Sequence, residues 1–292
     1  MTTPTDDVLA LVPRERMALA EAAEAEWMHA MAAAAAPAAR SALGMHQYRL
    51  GGGVVLVMAN DPAGGYWNKA LGFGLTEPFT GEVATEVVDR YRAGGGGVGV
   101  IHVPDALLPQ DWQEVCGRLG IVAGSTWVKL LRPASVPAAE AGTDLRVGRV
   151  GPQDALTWAR VLAAGFGMPE DPDLLDVLSG VADPGTGFRP WGAWQDDRLV
   201  AAANLHLAGP VASFCGAATL PEARGRGAQS AFMQRRVEMA RALGAAWCSA
   251  ETWREDPAHE DPSMHHNPSL HNMRRAGFVD CYERTNWVWR AA

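Results

Sequence analysis

The hydrophobic and polar pattern divides the chain into two stretches of alternating helical and extended character. Residues 14–36 are rich in Ala, Glu and Met, with Met17, Leu19 and Trp27 among acidic positions, and the run stops at Pro37. Propensity alone makes this a long helix. From 46 to 132 the pattern shifts to short apolar runs at 54–58, 70–75 and 98–103, which read as strands, with helical segments at 81–93 and 110–118. The segment 133–142, with Pro133, Pro137 and Gly142 among small residues, reads as a linker.

Beyond the linker the order is strand (145–150), helix (152–165) and a polar, Pro- and Gly-rich region (166–189) with a helix at 173–181. A hairpin follows, 191–194 against 199–205, turned at Asp196 and Asp197. The last third reads as an apolar run into a turn at 217–230, a helix over 231–240, a buried strand at 245–252, a helix from Asn267 to Gly277, and terminal strands over 278–289. A weak repeat is visible: Cys116 to Lys129 and Met273 to Trp289 each give a helix end, Gly followed by an apolar residue, and then Trp-Val. The chain therefore reads as two copies of one α/β unit, with halves at 1–135 and 145–292 and a linker at 136–144.

The turn carries the most specific chemistry. Arg224-Gly225-Arg226-Gly227 lies between a short strand and a helix. A strand that delivers a glycine-rich turn to a helix start aims unpaired backbone N–H groups and the positive end of the helix dipole at one point, which suits an anion such as phosphate. A Walker A loop would end Gly-Lys-Ser/Thr and a dinucleotide fingerprint would need three spaced glycines; neither fits. The first half has Thr76-Glu77-Pro78-Phe79-Thr80-Gly81-Glu82 in the corresponding place, acidic and without Arg-Gly-x-Gly. That half is expected to shape or cover the site of the other without holding pyrophosphate.

The loop resembles the coenzyme A pyrophosphate loop of the GNAT superfamily of N-acetyltransferases, Arg/Gln-x-x-Gly-x-Gly/Ala. Arg224 and Gly227 match its first and fourth places, and Gln229 departs from the sixth. Asn267 to Phe278 resembles the family's second signature, a helix opening with Asn and closing in Gly-Phe. The resemblance covers residues 145–292. It implies an α/β (α+β) fold of two GNAT-like units, each a mixed, mostly antiparallel sheet flanked by helices. It further implies acetyl-CoA as co-substrate, held by the backbone of Ala217, Ala218 and Thr219 along the pantetheine arm. The amides of Gly225, Arg226, Gly227, Ala228, Gln229 and Ser230 would hold the pyrophosphate. Arg224 and Arg226 would pair with phosphates, Arg226 with the 3′-phosphate, and Asn267 and Ser269 would contact the coenzyme or serve as helix caps.

The implied activity is transfer of an acetyl group to a primary amine of a small molecule or peptide by direct attack, which needs a proton acceptor. Many family members have a glutamate where this chain has Cys215, and a tyrosine where it has Met273. Glu251, a carboxylate inside an apolar strand, is the candidate base or substrate anchor, since burial would raise its pKa. Tyr282 is the candidate acid. The missing glutamate and tyrosine leave open a non-catalytic acyl-CoA-binding module, and the acyl group itself is not fixed by the motif.

Composition narrows the partners. Hydrophobic residues at 48% suffice for packed cores, and a formal net charge of −8 argues against a nucleic-acid partner. The four cysteines, Cys116, Cys215, Cys248 and Cys281, lack Cys-x-x-Cys spacing and read as buried thiols of a cytoplasmic protein. The N-terminus lacks the apolar core of a signal peptide, and no run approaches a membrane span. His259, His265, His266 and His271 fit no zinc spacing, so no metal is expected, although His265 or His266 is a candidate for substrate contact. Trp253 is a candidate wall of an acceptor pocket, and the protein is expected to be a monomer or homodimer.

Overall fold

The computed structural model describes residues 4–291. Helices α1 (Pro4–Ala10), α2 (Pro13–Ala34) and α3 (Pro37–Ala42) precede strands β1 (Met45–Leu50), β2 (Gly53–Met58) and β3 (Lys69–Leu71). Helix α4 (Gly81–Ala93), strand β4 (Val98–His102), helix α5 (Trp112–Leu119) and strand β5 (Ile121–Pro133) complete the first half. The second half runs β6 (Arg146–Arg149), α6 (Ala155–Gly165), α7 (Pro172–Ser179), β7 (Trp191–Gln195), β8 (Arg198–Ala203), β9 (His206–Ala208), β10 (Val211–Ser213) and β11 (Ala217–Thr219). It ends with α8 (Ala228–Ala242), β12 (Trp247–Trp253), α9 (Pro268–Arg275) and β13 (Val279–Arg290).

The apolar run at 70–75 yields a strand only as far as Leu71. Gly72 and Gly74 take φ of +77° and +80°, and a Cβ on Gly72 would lie 2.9 Å from the Ala25 side chain, so the backbone turns away as it passes under α2. The run before the phosphate turn is likewise two strands, β10 and β11, broken at Phe214–Gly216 where Gly216 takes φ +83°. The terminal strands merge into the single long β13, which is bulged around Cys281. β1 has no counterpart among the expected elements, because its half-exposed positions lack an alternating pattern.

Nine strands form one sheet in the order β1-β2-β3-β4-β13-β5-β12-β10-β9, and four form a second, β11-β8-β7-β6. The last strand of each half lies next to strands of the other. β13 sits between β4 and β5, and β5 sits between β13 and β12, all antiparallel. β5 of the first half and β13 of the second thus pair with each other at the centre of the sheet.

Side-chain alternation assigns the two faces. Val128, Leu130, Ala212, Phe214, Cys248 and Ala250 pack under α8 and α9, with Met233, Val237, Leu270 and Met273. In the first half Val55, Val57, Ala70 and Ile101 pack under α4 and α5. The opposite face is crossed by α2, whose Ala25, Met28 and Met31 meet Val54, Leu56 and Leu71. Among the described residues no helix is long and apolar enough to cross a membrane.

Where α2 crosses the join between halves it buries two acids, Glu21 and Glu24. Arg284 of β13, fully buried, donates to Glu21 (2.6 Å) and Glu24 (2.7 Å), to Glu251 of β12 (3.1 Å) and to Nδ1 of His102 (2.6 Å). Lys129 of β5 pairs with Glu24 and, at 2.6 Å, with Glu251. Burial alone would raise the Glu24 pKa, but Arg284 and Lys129 outweigh it and hold the carboxyl well below its ordinary value. Removing one member strands the rest: Arg284→Leu, which leaves three carboxylates facing Lys129, should cost about 3–5 kcal/mol in urea unfolding. Arg49→Ala, which breaks the exposed pair with Glu26, should cost no more than about 1 kcal/mol by the same measurement.

Candidate functional site

The strand break opens the site. β10 pairs in parallel with β12 through Ser213↔Ser249, and Phe214 N–H donates to Ser249 O at 2.8 Å. After that contact the chain bends at Gly216 and β11 joins β8 in the smaller sheet, whereas β12 continues beside β5 as far as Trp253. The parting strands leave a wedge, and a cavity of about 400 Å³ occupies it, lined by Ser213, Cys215, Gly216, Ala217, Ser249, Glu251 and Trp253 among others. This volume lies within the usual range for small-molecule sites.

On the α8 face the wall comes from Gln229, Arg236, Ser269 and Met273. The turn before α8 leaves its helix start open. Gly225 and Gly227 take φ of +76° and +82°, no side chain caps the helix among the described residues, and its first turn holds no acid. The leading amides, from Ala228 onward, therefore have no intrahelical acceptor. The equivalent helix of the first half, α4, is closed: Thr80 Oγ1 accepts from Val83 N–H at 3.3 Å and Glu82 sits in the first turn. Only one of the two turns suits a phosphate.

The loop arginines differ. Arg226 is held by Asp144 of the linker, Nε to Oδ1 at 3.0 Å, and by Gln195 at 2.6 Å, so its charge is already paired. Arg224 donates Nε–H to Thr219 O at 3.2 Å, leaving its two Nη groups without a protein partner among the described bonds. Gln229 bridges the two helices of this face, donating to Ser269 Oγ at 2.7 Å and accepting from Asn272. Asn267 caps α9 through Ser269 N–H and also donates to Thr252 Oγ1 and Trp253 O. It is 1% exposed, a structural cap without a surface to offer a ligand. Arg236 is a buried cation with no carboxylate partner among the described residues. It donates to Asn204 O, lies over the Phe214 ring at 4.3 Å, and is pushed down to about 10 by burial, so it stays charged at neutral pH.

On the α2 face the wall is made by both halves. Glu24, Trp27 and Met31 come from α2, Tyr66 and Trp67 from the loop before β3, and Trp127 and Lys129 from β5. They meet Glu251 and Trp253 of β12, cross-strand partners of Lys129 and Trp127. Burial, then the negative charge of Glu24, raises the Glu251 pKa above its ordinary value against the pull of Lys129 and Arg284. Two neighbouring carboxylates are thus driven apart in pKa, the pattern of groups with distinct acid and base roles. Cys215, where a family glutamate was expected, is a thiol pushed up to about 12 by burial and is no nucleophile at neutral pH.

Tyr282 is not brought to the cavity wall. Its hydroxyl donates to Glu21 at 2.7 Å on the far side of the ion network, because residues of β13 are two strands from the wedge. His265 and His266 are exposed and also stand outside the lining. Folding does bring His266 and His271 to Glu255, at 3.4 and 2.9 Å, a grouping that sequence spacing does not reveal. Glu24, Lys129, Trp27, Tyr66 and Trp67 are functional candidates that sequence reasoning missed. A lone lysine inside the apolar run Trp127-Val128-Lys129-Leu130-Leu131 was the available signal.

The sequence matches no model of a known protein family and no curated protein. Solved structures do match. A GCN5-related N-acetyltransferase from Kribbella flavida superposes with a TM-score of 0.57 at 14% identity, over 90% of this chain and 96% of that one. A tandem GNAT protein from the clavulanic acid biosynthesis pathway superposes over all of this chain and 97% of its own, with a TM-score of 0.55 at 14% identity. The fold is the GNAT fold. A third GNAT-fold structure, a GCN5-related N-acetyltransferase from Sphaerobacter thermophilus, is 10% identical, with a TM-score of 0.56 over 82% of this chain and 81% of its own.

Within this GNAT fold the turn glycines offer a direct test of the anion site. A Cβ on Gly227 would lie 2.3 Å from Gly142 O, so any substitution there also displaces the linker. Gly225 has nothing within 4 Å of the place a Cβ would occupy. Gly225→Asp meets no clash but places a Cβ at φ +76°, so it should lower the melting temperature by only a few degrees (about 1 kcal/mol) yet weaken coenzyme A binding by about 100-fold, measured by calorimetric titration, through like-charge repulsion between the new carboxylate and phosphate. Retained affinity would place the coenzyme elsewhere.

Proposed function

We propose that the protein is an acetyl-CoA-dependent N-acetyltransferase that moves an acetyl group to a primary amine by direct attack. The observation that carries this reading is the coincidence, at one strand break, of an uncapped glycine turn on the α8 face and a carboxylate of raised pKa on the α2 face. Acetyl-CoA would lie with its phosphates against residues 225–230 and its pantetheine arm beside Ala217, Ala218 and Thr219, presenting the thioester at the wedge. The amine would enter from the α2 side. The bound ammonium would first give one proton to Glu251; the neutral nitrogen then forms the new bond to the thioester carbonyl carbon, the carbon–sulfur bond breaks, and the second proton passes from that nitrogen through water to the leaving thiolate. Holding both reactants in one cleft supplies the orientation the reaction needs.

A purely acyl-CoA-binding role gains no support from the site, since a carboxylate suited to proton transfer stands in the cavity beside the gap. The acceptor side, built largely from the first half, accounts for the retention of a half whose own turn is closed.

The base must be ionised to act, so thiol release should rise with pH through a midpoint above the ordinary carboxylate range, following the raised Glu251 pKa. Glu251→Gln should lower kcat by about 10²-fold or more and remove that ascending limb. An unchanged pH profile would reject Glu251 as the base, and coenzyme A binding without amine-dependent thiol release across an amine panel would reject the enzymatic reading.

A further inference from the structure

The α2 face of the site carries more negative than positive charge. Glu21, Glu24 and Glu251 supply three carboxylates, and Lys129 and Arg284 supply two cations. His102 adds nothing, because its Nδ1 accepts from Arg284, a group that can only donate, and burial with that guanidinium lowers its pKa well below the ordinary value. Further out, Lys69, which lies 4.0 Å over the Tyr66 ring, acts on Glu251 as well as on Asp61, and with these two counted the carboxylates still outnumber the cations, four to three. Arg236 lies on the other face of the strands, over Phe214, and does not enter this balance. A buried carboxylate left over in this way takes up a proton or a cation. Glu24 and Glu251 present that excess to the cavity.

The walls next to these acids are aromatic. Trp127 and Trp253 face each other two residues along the same strands as Lys129 and Glu251, on the same face of the sheet. Trp27, Tyr66 and Trp67 close the space from the first half, with the Tyr66 and Trp67 rings 4.9 Å apart and edge to face. Such walls favour a flat or bulky apolar body and tolerate a cation against their ring faces. A carboxylate next to the amine would bring a second negative charge against Glu24 and Glu251.

We propose that the first half of the chain is the acceptor-binding element, and that the acceptor is a primary amine on an aromatic or similarly bulky apolar body with no carboxylate beside the amine. Its ammonium lies at Glu24 and Glu251, and its body lies among Trp27, Tyr66, Trp127 and Trp253. As a statement about the acceptor this rests on the acetyl-transfer reading, whereas the binding preference can be measured without turnover.

Calorimetric titration of the full chain with 2-phenylethylamine, phenylalanine, 3-phenylpropionate and ethanolamine tests it. 2-Phenylethylamine should bind about tenfold or more tighter than each of the others, and thiol release from acetyl-CoA should follow the same order. Trp27→Ala and Trp253→Ala should each reduce 2-phenylethylamine binding to the level of ethanolamine while coenzyme A binding is kept, which shows that the variants are folded. Phenylalanine or ethanolamine binding as tightly as 2-phenylethylamine, no binding by any of the four, or both tryptophan variants binding like the parent would each overturn the proposal. The expected binding order without thiol release supports this site and overturns acetyl transfer instead. Thiol release from ethanolamine alone supports acetyl transfer and overturns this site.

Discussion

Five charged side chains gathered under one helix, four of them buried and Glu251 part-exposed, hold this molecule in register. Glu21 and Glu24 of α2, Lys129 of β5, Glu251 of β12 and Arg284 of β13 come from four elements in both halves of the chain, and none of the ions is compensated within its own element. A buried ion without its partner is costly, so α2 can lie across the sheet only where its two acids meet both cations. That requirement fixes the helix over the seam, and the seam is where β5 and β13 pair. The exchange of final strands and the network depend on each other.

The same network sets the chemistry of the wedge. The cations that hold Glu24 ionised leave Glu251 with a Glu24 charge beside it and a raised pKa, so the carboxylate nearest the strand gap is the one best suited to exchange a proton. The two faces of the sheet then divide the work. An uncapped helix start with paired and unpaired arginines lies on the α8 face, and acids among aromatic rings lie on the α2 face. Only a break in the sheet can join these faces, and Gly216 supplies it by turning β11 away from β12.

The starts of two helices are instructive for their difference. α4 and α8 follow comparable turns, yet Thr80 and Glu82 satisfy the first turn of α4 while Gly227 and Ala228 leave that of α8 open. The start of α8 leaves its amides open, and the first half lines the opposite side of the cavity.

Local chemistry alone determined a good deal. The long Ala- and Glu-rich helix, the strand at 98–103, the helix at 81–93, the hairpin at Asp196 and the glycine-arginine turn all follow from propensity and turn preferences that act within a few residues, and they are present where the pattern puts them. The open helix start at residues 225–230 and the placement of Glu251 and Trp253 on a strand beside the gap were legible for the same reason. Tertiary structure decided the rest. That Glu24 and Lys129 stand beside Glu251, that Tyr282 turns to Glu21 and away from the cavity, and that Asp144 neutralises Arg226 are contacts between residues 82 to 261 positions apart. Pairings at such separations depend on how the sheet orders its strands, which no local pattern of polar and apolar residues encodes.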